Sequence, residues 1–96
     1  MIASFGDRAT EAVFNGHPVK DIRRFPPTIL KAALRKLDML NAAVELRDLK
    51  APPSNHLEAL ERDLIGFHSI RVNDQWRLVF RWQGSEAFDV RLTDYH

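Results

Sequence analysis

The chain has no cysteine, and that single absence removes disulfides, thiolate nucleophiles and cysteine-ligated zinc from its chemistry. Such a composition fits a reducing compartment, so a cytoplasmic location is expected. Long apolar runs are missing too: uninterrupted hydrophobic stretches extend only a few residues, far short of the ~20 that a membrane-spanning helix requires. The N-terminus lacks the basic, apolar and small-residue order of a secretion signal, so neither membrane contact nor export is expected. There is no excess of either charge. Fourteen Lys and Arg stand against 13 Asp and Glu, for a net charge of +1, and any electrostatic argument has to rest on local clusters. Glycine-rich phosphate loops and serine-nucleophile motifs are absent. The four histidines, His17, His56, His68 and His96, are scattered rather than spaced as ligands, so neither a metal nor a cofactor is expected.

What is present suffices for one domain of 96 residues with a single modest core. Met1 to Phe5 reads as a short opening strand closed by Gly6-Asp7. Asp7 is a suitable N-cap for a helix running to Phe14, which Asn15-Gly16 would end. Pro26-Pro27 bars helical backbone at Phe25 and Pro26, so a second helix should start at Pro27 or Thr28. Leu30, Ala33, Leu34, Leu37, Leu40, Asn41 and Val44 recur at three- and four-residue steps, which predicts an amphipathic helix to about Ala43 covering one face of a sheet. Asp48 to Asn55, with Pro52-Pro53-Ser54-Asn55, reads as a surface loop.

The block from Leu57 to His96 organises the rest. Phe67 to Val72, Trp76 to Trp82 and Ala87 to Thr93 are rich in β-branched and aromatic residues. Asn73-Asp74 and Gln83-Gly84-Ser85 separate them, which predicts an antiparallel meander. A three-residue loop at Asn73, Asp74 and Gln75 sets Val72 opposite Trp76, Arg71 opposite Arg77 and Ile70 opposite Leu78. That register keeps Ile70, Val72, Trp76, Leu78, Phe80 and Trp82 on one face. It also opposes two arginines, which is unfavourable by several tenths of a kcal/mol unless an anion lies between them. Asp74, Glu58, Asp89 or Asp94 could supply it, and so could a phosphate ligand. Trp76, Phe80, Trp82 and Phe88 alternate as core residues do.

Candidate functional groups near this sheet are Glu58, Glu61, Arg71, Arg77, Asp94, Tyr95 and His96. A carboxylate, an arginine and a histidine suit metal-free phosphoryl transfer within RNA. A base takes the ribose 2′-hydroxyl proton, arginine neutralises the phosphate oxygens and an acid protonates the departing 5′-oxygen. Lys20, Arg23, Arg24, Lys31, Arg35 and Lys36 lie off the apolar stripe or just before it. They form either a solvated basic face or a surface for a polyphosphate partner.

The run HSIRVNDQWRLVFRW, the preceding LEAL, the terminal DYH and the opening MIASF closely resemble the HigB-type toxins of bacterial toxin–antitoxin systems, the plasmid maintenance system killer group of the RelE/ParE superfamily. The resemblance covers the whole chain. It implies an α+β fold: two N-terminal helices on a twisted, mainly antiparallel sheet, with a short N-terminal strand and a C-terminal meander. It also implies a ribosome-dependent endoribonuclease that cuts translated mRNA in the A site, and a cognate helix-turn-helix antitoxin of HigA type that restrains it. Carried over by position, Arg77 matches the phosphate-contacting arginine, His96 the general acid, Tyr95 a stacking or orienting group and Asp94 the acid before that pair. Glu58 takes the general-base position, with His56 in reserve and Arg71 as a further substrate contact. Lys20, Arg23, Arg24, Lys31, Arg35 and Lys36 become a ribosome-facing surface. The group typically reads Leu-Lys-Gly-Asp where this chain has Leu60-Glu61-Arg62-Asp63, so an expected lysine is Glu61. Two alternatives remain: a ParE-like gyrase poison, and a catalytically weakened regulator kept for antitoxin binding.

Overall fold

In the computed structural model, which describes residues 1–17, 22, 23 and 25–94, two helices cover one face of a four-stranded antiparallel sheet. Helix α1 spans Arg8–Asn15. Asp7 caps it as expected, its Oδ1 accepting the Thr10 N–H at 2.8 Å, an interaction worth about 1 kcal/mol. Gly16 ends it with a φ of 71°, a left-handed backbone that glycine adopts without a Cβ clash.

Helix α2 spans Pro27–Ala42 and starts on a proline, whose missing N–H costs nothing at the first helical position. Ile29, Ala33, Leu37 and Leu40 are buried, but the stripe differs from the expected one. Leu34 and Val44 are exposed, whereas Lys36 is buried. The reason is geometric: Ile29, Ala33, Lys36 and Leu40 follow one another at steps of four, three and four residues, so the lysine falls in the inward row and Leu34 on its flank. Lys36 is accommodated because its Nζ donates to Asn55 Oδ1 at 2.5 Å. Burial holds its pKa below the ordinary lysine value, and repulsion from Arg35 and Arg71 adds to the shift.

That pairing explains a second departure. The segment expected as a surface loop forms two short 3₁₀ turns, Leu46–Lys50 and Pro53–Asn55, from which Leu49 and Asn55 are fully buried. Asn55 Nδ2 donates to the carbonyls of Leu49 at 3.1 Å and Ala51 at 3.3 Å, so one amide ties the segment to itself and to α2. At its start the Asp48 carboxylate accepts the N–H groups of Glu45 and Val44, which hold its pKa down.

The strands are β1 (Glu58–Ala59), β2 (Phe67–Arg71), β3 (Trp76–Gln83) and β4 (Glu86–Asp94), adjacent in chain order. The expected register holds: Ile70 opposes Leu78 and Arg71 opposes Arg77, and the Val72 N–H reaches the Trp76 carbonyl at 2.8 Å. Asn73 Oδ1 accepts the N–H groups of Gln75 and Trp76 and so closes the three-residue loop. Ile70, Leu78, Phe80, Val90 and Leu92 fill the core with Leu37, Leu40 and Leu49, and Phe25 meets Trp76 edge-on at 5.5 Å.

Between Val79 and Arg81 the β3–β4 register slips by one residue. Two expectations along β4 differ from the structure. Phe88, expected in the core, instead pairs with Arg81 on the opposite face, because the turn at Gly84-Ser85 sets Gln83 opposite Glu86 and Trp82 opposite Ala87. Met1 to Phe5, expected as a strand, makes only two isolated parallel bridges to β4, at Ile2–Ala87 and Phe5–Val90. The bulge lies between those bridges and interrupts a continuous ladder. Among the described residues no helix is long and apolar enough to cross a membrane.

Candidate functional site

Because Leu78 and Phe80 turn into the core, strand alternation sends Arg77, Val79 and Arg81 to the other face of the sheet. There Arg77 is only 9% exposed, and its guanidinium is held by side-chain and backbone groups around it. Nε donates to Ser69 Oγ at 2.9 Å, Nη2 donates to the His56 carbonyl at 2.6 Å, and Glu58 Oε1 lies 3.2 Å from Nη2. Each partner comes from a different local feature. Ser69 sits on β2, one step diagonally from Arg77, and Glu58 sits on β1 directly opposite Ser69. His56 precedes β1 with a left-handed φ of 45°.

The arrangement is a half-exposed carboxylate against a nearly buried, oriented cation. It can accept a proton at Glu58 and present positive charge to a phosphate oxygen beside it. A guanidinium braced by a hydroxyl, a carbonyl and a carboxylate loses little freedom when an anion arrives, which is the preorganisation that favours charge developing in a transition state.

Glu58, Arg77 and His56 are therefore brought together, although His56 contributes its carbonyl rather than its imidazole to the arginine. Arg71 opposes Arg77 but pairs with Asp74. The predicted clash of like charges is relieved by two separate carboxylates, Asp74 and Glu58, rather than by one shared anion. Asp94 is placed differently. It opposes Trp76, one pair beyond Arg77–Thr93, so the strand pleat sets it on the Trp76 side, where its Oδ2 accepts from Gln75 Nε2 at 3.1 Å. Tyr95 and His96 lie outside the described residues, as do Lys20 and Arg24 of the basic surface. Of the other basic residues, Arg23, Lys31 and Arg35 are exposed, while Lys36 is withdrawn into the Asn55 contact.

The sequence reading missed Ser69 as a partner of Arg77. The signal was available, because placing Arg71 opposite Arg77 automatically makes Ser69 a diagonal neighbour. Asn55 gave no such signal. Glu61 is exposed and leads into a 3₁₀ turn at Arg62–Leu64, where Arg62 has a φ of 58°. His68 stacks on Phe80 at 6.3 Å, and its Nδ1 is buried with no hydrogen-bond partner among the described residues.

Two helices on one face of a four-stranded antiparallel sheet, with an oriented arginine on the other, make this a RelE-like toxin fold. The whole chain superposes on the YoeB–YefM complex from Staphylococcus aureus with a TM-score of 0.60 at 14% identity, covering 98% of that chain. It superposes on the YoeB/ParE toxin from Agrobacterium tumefaciens with a TM-score of 0.54 at 16% identity, covering all of both chains. A family model described as the RelE-like toxin of type II toxin–antitoxin system HigB matches residues 4–96. Among sequence relatives, Toxin HigB-1 of Vibrio cholerae is 40% identical over 96% of this chain and 95% of its own length, and Endoribonuclease HigB of Proteus vulgaris is 27% identical over all of both chains. The chain belongs to the HigB-like toxin family.

Proposed function

We propose that this chain is the toxin of a type II toxin–antitoxin pair and acts as a ribosome-dependent endoribonuclease that cuts mRNA in the A site. The observation that carries the reading is the Glu58–Arg77 contact at 3.2 Å, which sets a proton acceptor next to a preorganised phosphate-binding cation. In the proposed reaction the Glu58 carboxylate takes the proton of the ribose 2′-hydroxyl. The resulting oxygen attacks the adjacent phosphorus, and Arg77 neutralises the charge that builds on the non-bridging oxygens. The bond from phosphorus to the 5′-oxygen breaks. His96 protonates that oxygen, leaving a 2′,3′-cyclic phosphate and a 5′-hydroxyl, while Tyr95 stacks on a neighbouring base.

An arriving phosphate competes with Glu58 for Arg77, so substrate binding itself frees the carboxylate to act as the base. Arg71 extends the substrate contacts, and His56 is the reserve base. Lys20, Arg23, Arg24, Lys31 and Arg35 are the proposed ribosome-facing cations. A HigA-like helix-turn-helix antitoxin is the proposed restraining partner, and the endoribonuclease name of the Proteus relative and the toxin–antitoxin complex among the structural neighbours support the reading.

The test is translation of a defined message in a purified system, with breaks mapped by primer extension for wild type, Arg77→Ala and His96→Ala. Codon-phased cuts that need ribosomes, survive EDTA treatment of the protein and fall by about 10²–10³-fold in Arg77→Ala are expected, with cutting also lost in His96→Ala. An intact message beside folded wild-type protein would reject the nuclease reading. It would turn attention to a gyrase poison or a regulator that only binds its antitoxin.

A further inference from the structure

At the other end of the same sheet face, a second group of side chains is assembled that the proposed reaction does not use. The bulged residue Asp89 takes a left-handed backbone with a φ of 54°, and the register running from the Gly84-Ser85 turn sets Phe88 opposite Arg81 just before the bulge. The Arg81 guanidinium carbon then lies 5.6 Å from the Phe88 ring centroid, within the ~6 Å of a cation–π contact. Asp89 Oδ2 accepts from Arg81 Nε at 2.8 Å, so the guanidinium is gripped along one edge and lies over a ring, yet its side chain stays 43% exposed. Arg91 is exposed nearby. A Cβ at Gly6 would lie 2.8 Å from the Arg91 Nε and 2.9 Å from the Asp89 carbonyl oxygen, so the arginine crosses the N-terminal segment where the bulge backbone leaves room for glycine.

A cluster built to grip acidic side chains presents arginine edges for paired hydrogen bonds. Here Asp89 already takes one edge. What the site offers is an aromatic–guanidinium surface, which stacks on any nucleobase. We propose that Arg81, Phe88 and Arg91 form a second RNA subsite, where a base of the single-stranded message stacks on the Arg81–Phe88 pair and Arg91 meets an adjoining phosphate. Arg81 stands four residues beyond Arg77 on β3, about 13 Å at a rise of ~3.3 Å per residue. That is about four nucleotides of a stacked strand at ~3.4 Å each. The inference rests on the RNA reading above and extends the path of that substrate away from the Glu58–Arg77 pair.

The test measures fluorescence anisotropy of labelled single-stranded RNA of three and eight nucleotides with the full-length protein at fixed salt. A trimer can occupy one subsite and an octamer both, so wild type should bind the octamer more tightly. Phe88→Leu keeps apolar bulk and loses the ring, and Arg81→Lys keeps charge and loses the plane. Each should weaken octamer binding by about tenfold, with trimer binding little changed. Arg47→Ala, which removes an exposed charge elsewhere, is the control, and thermal melts confirm that each variant is folded. Equal octamer affinity in wild type, Phe88→Leu and Arg81→Lys would overturn the proposal. So would a wild type that does not distinguish the two lengths, or one that binds an oligoglutamate peptide through Arg81 and Phe88 in place of RNA. Length-dependent binding with no cleavage on ribosomes would keep the subsite and reject the nuclease. Cleavage on ribosomes without length-dependent binding would do the reverse.

Discussion

The two faces of the sheet are made by the same strands and often by adjacent residues, yet they are held by different forces. On the helix side Ile70, Leu78, Phe80, Val90 and Leu92 pack against Leu37 and Leu40, where burial is non-directional and each side chain shares its load with several neighbours. On the other side Arg77 is held through directional contacts with the Ser69 hydroxyl, the His56 carbonyl and the Glu58 carboxylate, and Arg81 through the Asp89 carboxylate and the Phe88 ring. The packed face makes the molecule stable. The charged face is only as precise as its individual partners, so single changes there should alter activity while leaving the fold in place.

That contrast is sharpest at Phe80, which is fully buried. Phe80→Ala should lower unfolding free energy by about 3–5 kcal/mol, read by urea titration, and cleavage should fall only as the folded fraction falls. Glu58→Gln is its counterpart. Removing the base should slow cleavage by about 10²–10⁴-fold while the urea midpoint stays near wild type, because the side chain is half exposed. A matching loss of stability in Glu58→Gln would break the distinction between the faces.

Asn55→Ala tests the link between them. It leaves Lys36 buried without its partner and releases the turn that carries His56, so a loss of roughly 1–3 kcal/mol is expected together with slower cleavage. A change in stability alone would show that the turn does not position Arg77. The pH dependence of the same node has a definite sign. The pKa of Lys36 is lowered in the folded state, so the unfolded chain binds more protons between that lowered value and the ordinary 10.5. Stability therefore rises with pH through that window, and the rise should vanish in Lys36→Met. The smallest effect is expected at the N-cap of α1, which takes no part in the proposed reaction. Asp7→Ala should cost about 1 kcal/mol and leave the pH and cleavage profiles unchanged.

Much of this architecture was legible because short-range rules dictate it. The Asp7 cap, the Gly16 stop, the proline start of α2 and the three-residue hairpin loop are all local choices of backbone. The Arg71–Arg77 opposition followed from loop length alone. Position in the inward row of α2 was harder to read, because Leu34 looks apolar and Lys36 does not. Burial was decided there by which elements arrived opposite, and Asn55 arrived from a segment that looks like an exposed turn. Phe88 was misplaced because the turn that sets its partner was not fixed: a two-residue turn at Gly84-Ser85 puts Gln83 opposite Glu86 and therefore Arg81 opposite Phe88, and no residue type announces that choice.

The sequence by itself determined the order of the elements, the register of the central hairpin and, through its resemblance, the family. Only the tertiary structure decided that Glu58, Ser69 and the His56 carbonyl converge on Arg77, that Lys36 leaves the basic surface for the Asn55 amide, and that Arg81 and Phe88 share a face. Local propensity acts over a few residues and can be read along the chain. These contacts join residues separated by seven to 21 positions, and they exist only once the sheet has set their faces and the core has fixed the spacing between its layers.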